Sequence, residues 1–123
     1  MTSYAAEETP MSLDVCIKYK DSSRQEYWHP FCFQSTLRDY RWPIAERHRL
    51  ETLQRLECLF IEDRAEAEQL IRELRFVESL LKTPDRGGVP KRAAEYMLGR
   101  LNVLLPVFDA ALAEWENVKQ LSI

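Results

Sequence analysis

Two apolar runs separated by a turn, in the second half of the chain, restrict its fold more than any other feature. Apolar residues recur every three or four positions between residues 94 and 115, and a matching run spans residues 67–81. This spacing places each run on one face of an α-helix. Because prolines and glycines crowd the intervening residues 83–90, the runs predict an antiparallel helical hairpin. The longer run consists of Ala94, Leu98, Leu101, Leu105, Phe108, Leu112 and Trp115, and the shorter run of Ala67, Leu70, Leu74, Val77 and Leu81.

Sequence signals also mark the ends of these helices. Asp63 and Glu66 have the spacing of a capping box, so the first helix is predicted to run from about Arg64 to Lys82. The second is predicted to begin near Pro90, a residue suited to a first helical turn, and to reach about Lys119. Pro106 lies inside this helix and is expected to kink it, because proline removes a backbone donor.

The last helix carries a second apolar row beside the first, which predicts a broad buried face typical of a core helix. Gly99 in the same helix either adds flexibility or lets another backbone approach closely. The members of the second row are Met97, Leu104, Ala111 and Val118.

Residues 12–34 have the pattern of a β-hairpin. Apolar and polar residues alternate from Leu13 to Lys20, which predicts a strand. A turn at residues 21–24 is followed by a second strand, rich in aromatics, from Gln25 to Gln34. Pro30 cannot donate to a ladder, so this strand is expected at a sheet edge, or with a bulge or break. Since an isolated hairpin is marginally stable, it should pack on the helices.

The segment between hairpin and helical pair is harder to assign. A short helical turn is predicted at residues 35–40, and a helix from about Pro43 to Leu56. Residues 57–62 fit either a helical link or a third strand. These assignments predict a mainly helical α+β fold, in which the β-hairpin packs on about three helices. Residues 1–11 are predicted to be a mobile tail, and residues 12–123 a single domain, with a hairpin at 12–34 and a helical part at 43–121.

Composition excludes several functional classes. The formal net charge of −3 argues against nonspecific nucleic-acid binding, which needs a basic surface. The three cysteines, Cys16, Cys32 and Cys58, are odd in number and lie among apolar residues, as free thiols in a reducing compartment do. Residues 1–10 lack the apolar run of a signal peptide, and no run of about 18 apolar residues suggests a membrane span. We therefore expect a cytoplasmic protein that does not bind membranes.

No catalytic, cofactor or metal motif stands out. The pair His29 and Cys32 is the best fragment of a metal site, but the paired short spacings of zinc ligands are absent. The same two residues offer a nucleophile and a base on paper, without any accompanying signature. We therefore expect a non-enzymatic protein without cofactor or metal, and keep a metal- or thiol-dependent protein using His29 and Cys32 as an alternative.

An acidic stretch at residues 57–78 is one candidate partner-binding surface. The favoured interpretation is a solvated helix face with charge pairs four residues apart. The functional interpretation is an acidic surface for a basic partner. The candidate residues are Glu62, Asp63, Glu66, Glu68 and Glu73.

The hairpin region supplies a second candidate surface, since residues 19–42 hold seven of the thirteen aromatics. The favoured interpretation is that they pack the hairpin onto the helices. Both sides of the second strand carry aromatics, however, and only one side can face the core. Tyr27, Trp28 and Phe31 are therefore the candidate interface anchors.

One resemblance narrows the function. The run from Trp42 to Glu46, followed by that from Glu66 to Leu74, resembles small bacterial proteins encoded beside toxins, and the short opening strand after Met11 is similar to theirs. The resemblance implies an immunity-type inhibitor that binds and neutralises a cognate toxin. Together with the acidic stretch at residues 57–78, it suggests a basic toxin domain as the partner. The alternative is a structural or oligomerising module, such as a homodimer, in which the apolar face of residues 94–115 pairs between chains.

Overall fold

The computed structural model describes residues 12–33 and 42–123, which form a four-stranded antiparallel sheet and three α-helices. The fold is α+β and mainly helical, as predicted. The predicted tail at residues 1–11 and the predicted turn at 35–40 lie outside the described residues. The strands are β1 (Ser12–Tyr19), β2 (Tyr27–Phe33), β3 (Phe60–Ile61) and β4 (Val118–Ser122); the helices are α1 (Trp42–Arg47), α2 (Arg64–Leu81) and α3 (Lys91–Ala113); 3₁₀ turns occupy Leu53–Cys58, Arg86–Gly88 and Trp115–Asn117.

The predicted β-hairpin is present, and Pro30 has both of its expected consequences. The strand order is β2-β1-β4-β3, so Pro30 lies on an edge strand. Leu13 is paired with Cys32 while Asp14 is paired with Pro30, which leaves Phe31 as the extra residue of a bulge.

The C-terminal segment is a strand, so the predicted extension of the last helix to Lys119, and of the helical part to residue 121, is wrong. Helix α3 ends at Ala113, and β4 lies between β1 and β3. Val118 and Leu121 fit a helical period, but both face the core from β4 because the pairing with β1 contains a bulge. The strand depends on pairing with segments distant in sequence, which a local periodicity does not reveal.

The middle of the chain also differs from its prediction. The helix predicted from Pro43 to Leu56 is wrong, because α1 ends at Arg47 and Arg49 adopts a positive φ of 56°. A 3₁₀ turn then leads into β3, so the strand alternative for residues 57–62 is correct at Phe60–Ile61.

The helical hairpin is confirmed. Helix α2 begins at Arg64, where the Asp63 carboxylate accepts a hydrogen bond of 2.8 Å from the backbone N–H of Glu66. Helix α3 begins one residue after Pro90 and continues through Pro106. The Arg64 guanidinium donates to the carbonyl of Leu112 at 3.2 Å, so the start of α2 lies beside the end of α3.

The apolar residues of α2 and α3 form the core with the inner face of the sheet. Both predicted apolar rows are mainly buried, with Leu98 and Leu112 half-buried at the margin. Because this chain itself covers the face, it is not available for pairing between chains. Among the described helices, α3 is also long and apolar enough to span a membrane by length and composition alone, a test that core helices pass as well.

Candidate functional site

The outer face of the sheet, opposite the core, carries a row of side chains that crosses all four strands. Cys16 on β1 lies opposite Trp28 on β2 and opposite Ser122 on β4, and Ser122 lies opposite Phe60 on β3. We call this surface the outer sheet face; its strand residues are Asp14, Cys16, Lys18, Trp28, Pro30, Phe60, Gln120 and Ser122. Glu26 and Glu62, which contact Trp28 and Gln120, complete it.

The two ends of this row are exposed aromatic side chains. Trp28 is 60% exposed and Phe60 is 63% exposed, although both are large enough to be core residues. They stand on the two edge strands, with the smaller Cys16 and Ser122 between them. Exposed aromatics at both ends of one row are typical of a contact surface rather than of a solvated sheet.

Polar side chains of the outer sheet face surround these aromatics. The indole N–H of Trp28 donates to the Glu26 carboxylate at 3.1 Å. On the other side, the Gln120 amide donates to Glu62 at 3.2 Å. Among the described residues of this surface, the carboxylates of Asp14, Glu26 and Glu62 outnumber the one cation, Lys18, so these residues carry an excess of negative charge.

Cys16 lies in the centre of the row and carries a thiol, which could in principle act as a nucleophile. Its side chain is 2% exposed and forms a hydrogen bond with Ser122. Burial raises the pKa of this thiol, and the negative charge of Glu26 raises it further, against a smaller lowering by Lys18 and Ser122. The thiol therefore stays protonated at neutral pH, which makes Cys16 a poor nucleophile.

His29 lies on the inner side of β2 and is engaged locally. Its ring stacks on Tyr27 with centroids 6.1 Å apart, and Nδ1 donates to the carbonyl of Pro30 at 2.8 Å. Within residues 12–33 and 42–123, no group of three or more histidine, cysteine or acidic side chains is placed to hold a metal ion. The Cys32 side chain lies outside the described residues, so the pairing of His29 with Cys32 stays a prediction.

The structure corrects two of the predicted partner-binding residues. Phe31 is completely buried, because strand alternation places it on the inner side of β2 with His29. Glu73 is 3% exposed, and its carboxylate accepts hydrogen bonds from the backbone N–H groups of Thr52 at 3.1 Å and Leu53 at 2.9 Å. Gln69 donates to the same carboxylate at 2.6 Å. Both residues stabilise the fold and cannot contact a partner.

The remaining acids of α2 are mostly engaged within the chain. Asp63 caps the helix, and Glu66 lies 3.5 Å from the guanidinium of Arg55. Glu68 lies 3.5 Å from Arg64 in a pair with the predicted four-residue spacing. The candidate acid that shares the outer sheet face with Trp28 is Glu62, which follows β3, whereas Tyr27 packs against the core.

Sequence reasoning missed two features of this region. Phe60 fell in the segment that fitted helix or strand equally well, and a two-residue strand is too short for a detectable period. Arg24 forms a clamp: its guanidinium lies 3.6 Å from the centroid of the Tyr19 ring and donates to both carboxylate oxygens of Glu114, at 2.7 and 2.8 Å. No local signal reveals a contact between residues 90 positions apart.

Two open clefts flank the Arg24 clamp at the hairpin end. The larger, of about 500 Å³, is lined by Tyr19, Arg24, Gln25, Glu26, Tyr27 and Trp28. The smaller, of about 300 Å³, is lined by Tyr19, Lys20, Asp21, Arg24, Glu116 and Asn117. The larger cleft adjoins the outer sheet face, because Glu26 and Trp28 belong to both.

Comparison of the chain with protein-family models, with curated proteins and with solved structures finds no match.

Proposed function

We propose that this chain is a non-enzymatic protein-binding module whose outer sheet face is the contact surface. The observation that carries the proposal is the row that places exposed Trp28 and Phe60 at both ends of one acidic sheet face. At a finer level, we propose an immunity-type inhibitor that binds and neutralises a toxin. The sequence resemblance supports this finer proposal.

The two aromatics supply the apolar part of the binding free energy. Complete burial of a large apolar side chain stabilises by about 1.5–3 kcal/mol. Because Trp28 and Phe60 are each more than half exposed, a partner that covers both gains roughly 1–2 kcal/mol from each. The flanking polar groups then form a rim that excludes water around the anchors.

The charge of the outer sheet face favours a basic partner. Asp14, Glu26 and Glu62 give it an excess of negative charge, which matches the net charge of the whole chain. Opposite charge on a partner accelerates association and makes the rate depend on salt. The acids of α2 contribute less to this surface, because most of them pair within the chain.

A growth assay tests the proposal. The product of the reading frame adjacent to that of this protein is expressed alone and together with this chain. We expect growth arrest in the first case and relief in the second. The outer-face double variant, Trp28→Ser with Phe60→Ser, should lose the relief.

A matched control comes from the helical side of the molecule. Phe76→Ser with Val103→Ser also removes two exposed apolar side chains, which are 40% and 45% exposed, and should keep the relief. Relief that survives the outer-face double variant but not the helical variant would place the contact surface elsewhere. An adjacent product that does not arrest growth would contradict the toxin proposal.

A further inference from the structure

We infer that the larger cleft at the hairpin end receives one cationic side chain, an arginine or a lysine, of the protein partner. This inference rests on the proposed function and names the chemistry of one contact within it. Three observations support it. Aromatic residues line the cleft, the Glu26 carboxylate can pair with a cation, and the charge of Arg24 is compensated by Glu114.

The walls of the cleft suit a cation. Tyr19, Tyr27 and Trp28 line an open volume of about 500 Å³, which is ample for a guanidinium or ammonium group and its water. The Arg24 guanidinium already lies over the Tyr19 ring, so Tyr27 and Trp28 are the rings left for a second cation. The faces of such rings carry negative electrostatic potential, and tryptophan attracts a cation most strongly. The hydrogen bond from the Trp28 indole to Glu26 holds ring and carboxylate in a fixed relation.

Glu26 supplies the opposite charge. Its carboxylate is exposed and accepts the indole N–H through Oε1. Across the described ranges, 12–33 and 42–123, no cation lies within 4.0 Å of either oxygen of Glu26. Because the Trp28 indole binds Oε1 of Glu26, the other carboxylate oxygen, Oε2, can accept charge-assisted hydrogen bonds from a cation.

Arg24 lines the same cleft, but its charge is already compensated. Both guanidinium nitrogens that face Glu114 donate to its carboxylate, and the Tyr19 ring covers one side of the group. The hydrogen bond to Glu114 raises the pKa of Arg24, and the same bond lowers the pKa of Glu114, so both stay charged and paired. The uncompensated charge of the cleft is therefore that of Glu26, which is negative.

Titration of the intact chain with Nα-acetyl-arginine amide tests the inference, with assigned two-dimensional NMR as the readout. We expect shifts of the Trp28 indole N–H and of the backbone amides of residues 24–28, with a dissociation constant on the order of millimolar. The uncharged analogue Nα-acetyl-glutamine amide should produce much smaller shifts.

Glu26→Gln is the diagnostic variant, because it keeps an acceptor oxygen for the Trp28 indole and removes the charge. It should weaken binding of the arginine probe at least about threefold, a change of the size measured for exposed charge pairs. Glu68→Gln, which removes one charge from α2, should leave the affinity unchanged.

Three results would overturn the inference: no localised shift with the arginine probe, equal shifts with the glutamine probe, or localised shifts with inorganic phosphate instead. The last would show that Arg24 exchanges Glu114 for an anionic ligand. The proposed function is judged separately by the growth assay. If the Glu26→Gln variant still relieves growth arrest and binds the toxin with unchanged affinity, the inferred cation contact is contradicted. The proposed function as a binding module is then unaffected.

Discussion

Among single residues, Glu73 has the most consequential position in the fold. Its carboxylate satisfies two buried backbone N–H groups where the 3₁₀ turn before β3 begins. Replacement by alanine leaves both donors without a partner in a dry environment. We expect Glu73→Ala to lower the free energy of unfolding by about 2–4 kcal/mol, measured by urea denaturation.

Glu68→Ala on the same helix is the control for that measurement. Its pair with Arg64 is exposed, so the loss should stay below about 1 kcal/mol. Equal losses in the two variants would mean that the buried hydrogen bonds of Glu73 contribute no more than a surface charge pair.

Two glycines should respond to alanine in opposite directions. Gly87 has a φ of 63°, and an added Cβ would lie 2.7 Å from Cγ of Leu80. Gly99 lies inside α3, where an added Cβ meets no atom of residues 12–33 and 42–123 within 4 Å, so of the two alternatives for Gly99 the close approach of another backbone is not seen among these residues. We expect Gly87→Ala to destabilise by about 1–2 kcal/mol and Gly99→Ala to stabilise by about 0.5–1 kcal/mol. Thermal unfolding of the two variants with the same sign of change would contradict this account.

For single residues, the sequence predicts side-chain roles that depend on neighbouring residues in the chain. It does not predict roles that depend on distant residues. The capping role of Asp63 and the edge position of Pro30 depend on backbone groups nearby in the chain, so both were predicted correctly. Glu73 resembled a surface acid because its partners lie about 20 residues away. Phe31 was a candidate anchor because both sides of β2 carry aromatics, and only the pairing with β1 shows that the side of Phe31 faces the core.

At the scale of elements, the Arg24 clamp ties the β1–β2 loop to the end of α3. Hydrogen bonding with Arg24 lowers the pKa of Glu114 from its ordinary value of 4.5. The clamp therefore contributes stability above that pH, and the contribution is lost as the pH falls through the lowered pKa. Glu114→Gln should reduce the urea midpoint at neutral pH, and its difference from the wild type should shrink as the pH falls below 4.5.

Other acids set the background for that experiment. The pKa values of Asp21 and Asp85 are also lowered, chiefly by the side chains of Ser23 and Thr83. Wild type and variant should therefore both lose stability in acid, and the wild type should lose more. A difference that is constant over this range would show that Glu114 acts through packing rather than through its charge.

The same distinction explains which elements were predictable. The start of α2 follows from a capping signal and a helical period, which are local. The apolar residues of β4 continue the helical period of α3 past Ala113. Only the pairing of this segment with β1 and β3 makes it a strand. The helix after Pro43 ends early, at Arg47, and a separate 3₁₀ turn follows in which the N–H of Leu53 is bound by the distant Glu73.

At the scale of the whole molecule, the sheet edges and the core face argue for a monomer. Edge strand β2 contains Pro30 and a bulge, and edge strand β3 has two residues, which disfavours pairing with another chain. The apolar face of α3 is covered within the chain, and two acidic outer sheet faces repel each other. Light scattering should therefore give a mass of 14.5 kDa; a dimer would revive the oligomerising alternative.

The sequence predicts which types of residue form the candidate surface, but not where in the fold they come together. The aromatic surplus of the hairpin and the acids near residue 62 were visible in the sequence, and Trp28 and Glu62 do lie on one surface. Their combination requires the register of four strands, including β4, which local periodicity does not provide. Phe60 completes the surface only because β3 pairs with β4.

Hydroxyl-radical footprinting of the complex with the adjacent gene product shows whether the outer sheet face is the contact surface, because the reaction depends on side-chain exposure. In the unbound chain, Trp28, Phe60 and Phe76 should all be oxidised, since each is at least 40% exposed. In the saturated complex, we predict strong protection of Trp28 and Phe60 and unchanged oxidation of Phe76. Oxidation of Trp28 and Phe60 that persists in the complex would contradict the assignment of the outer sheet face as the contact surface.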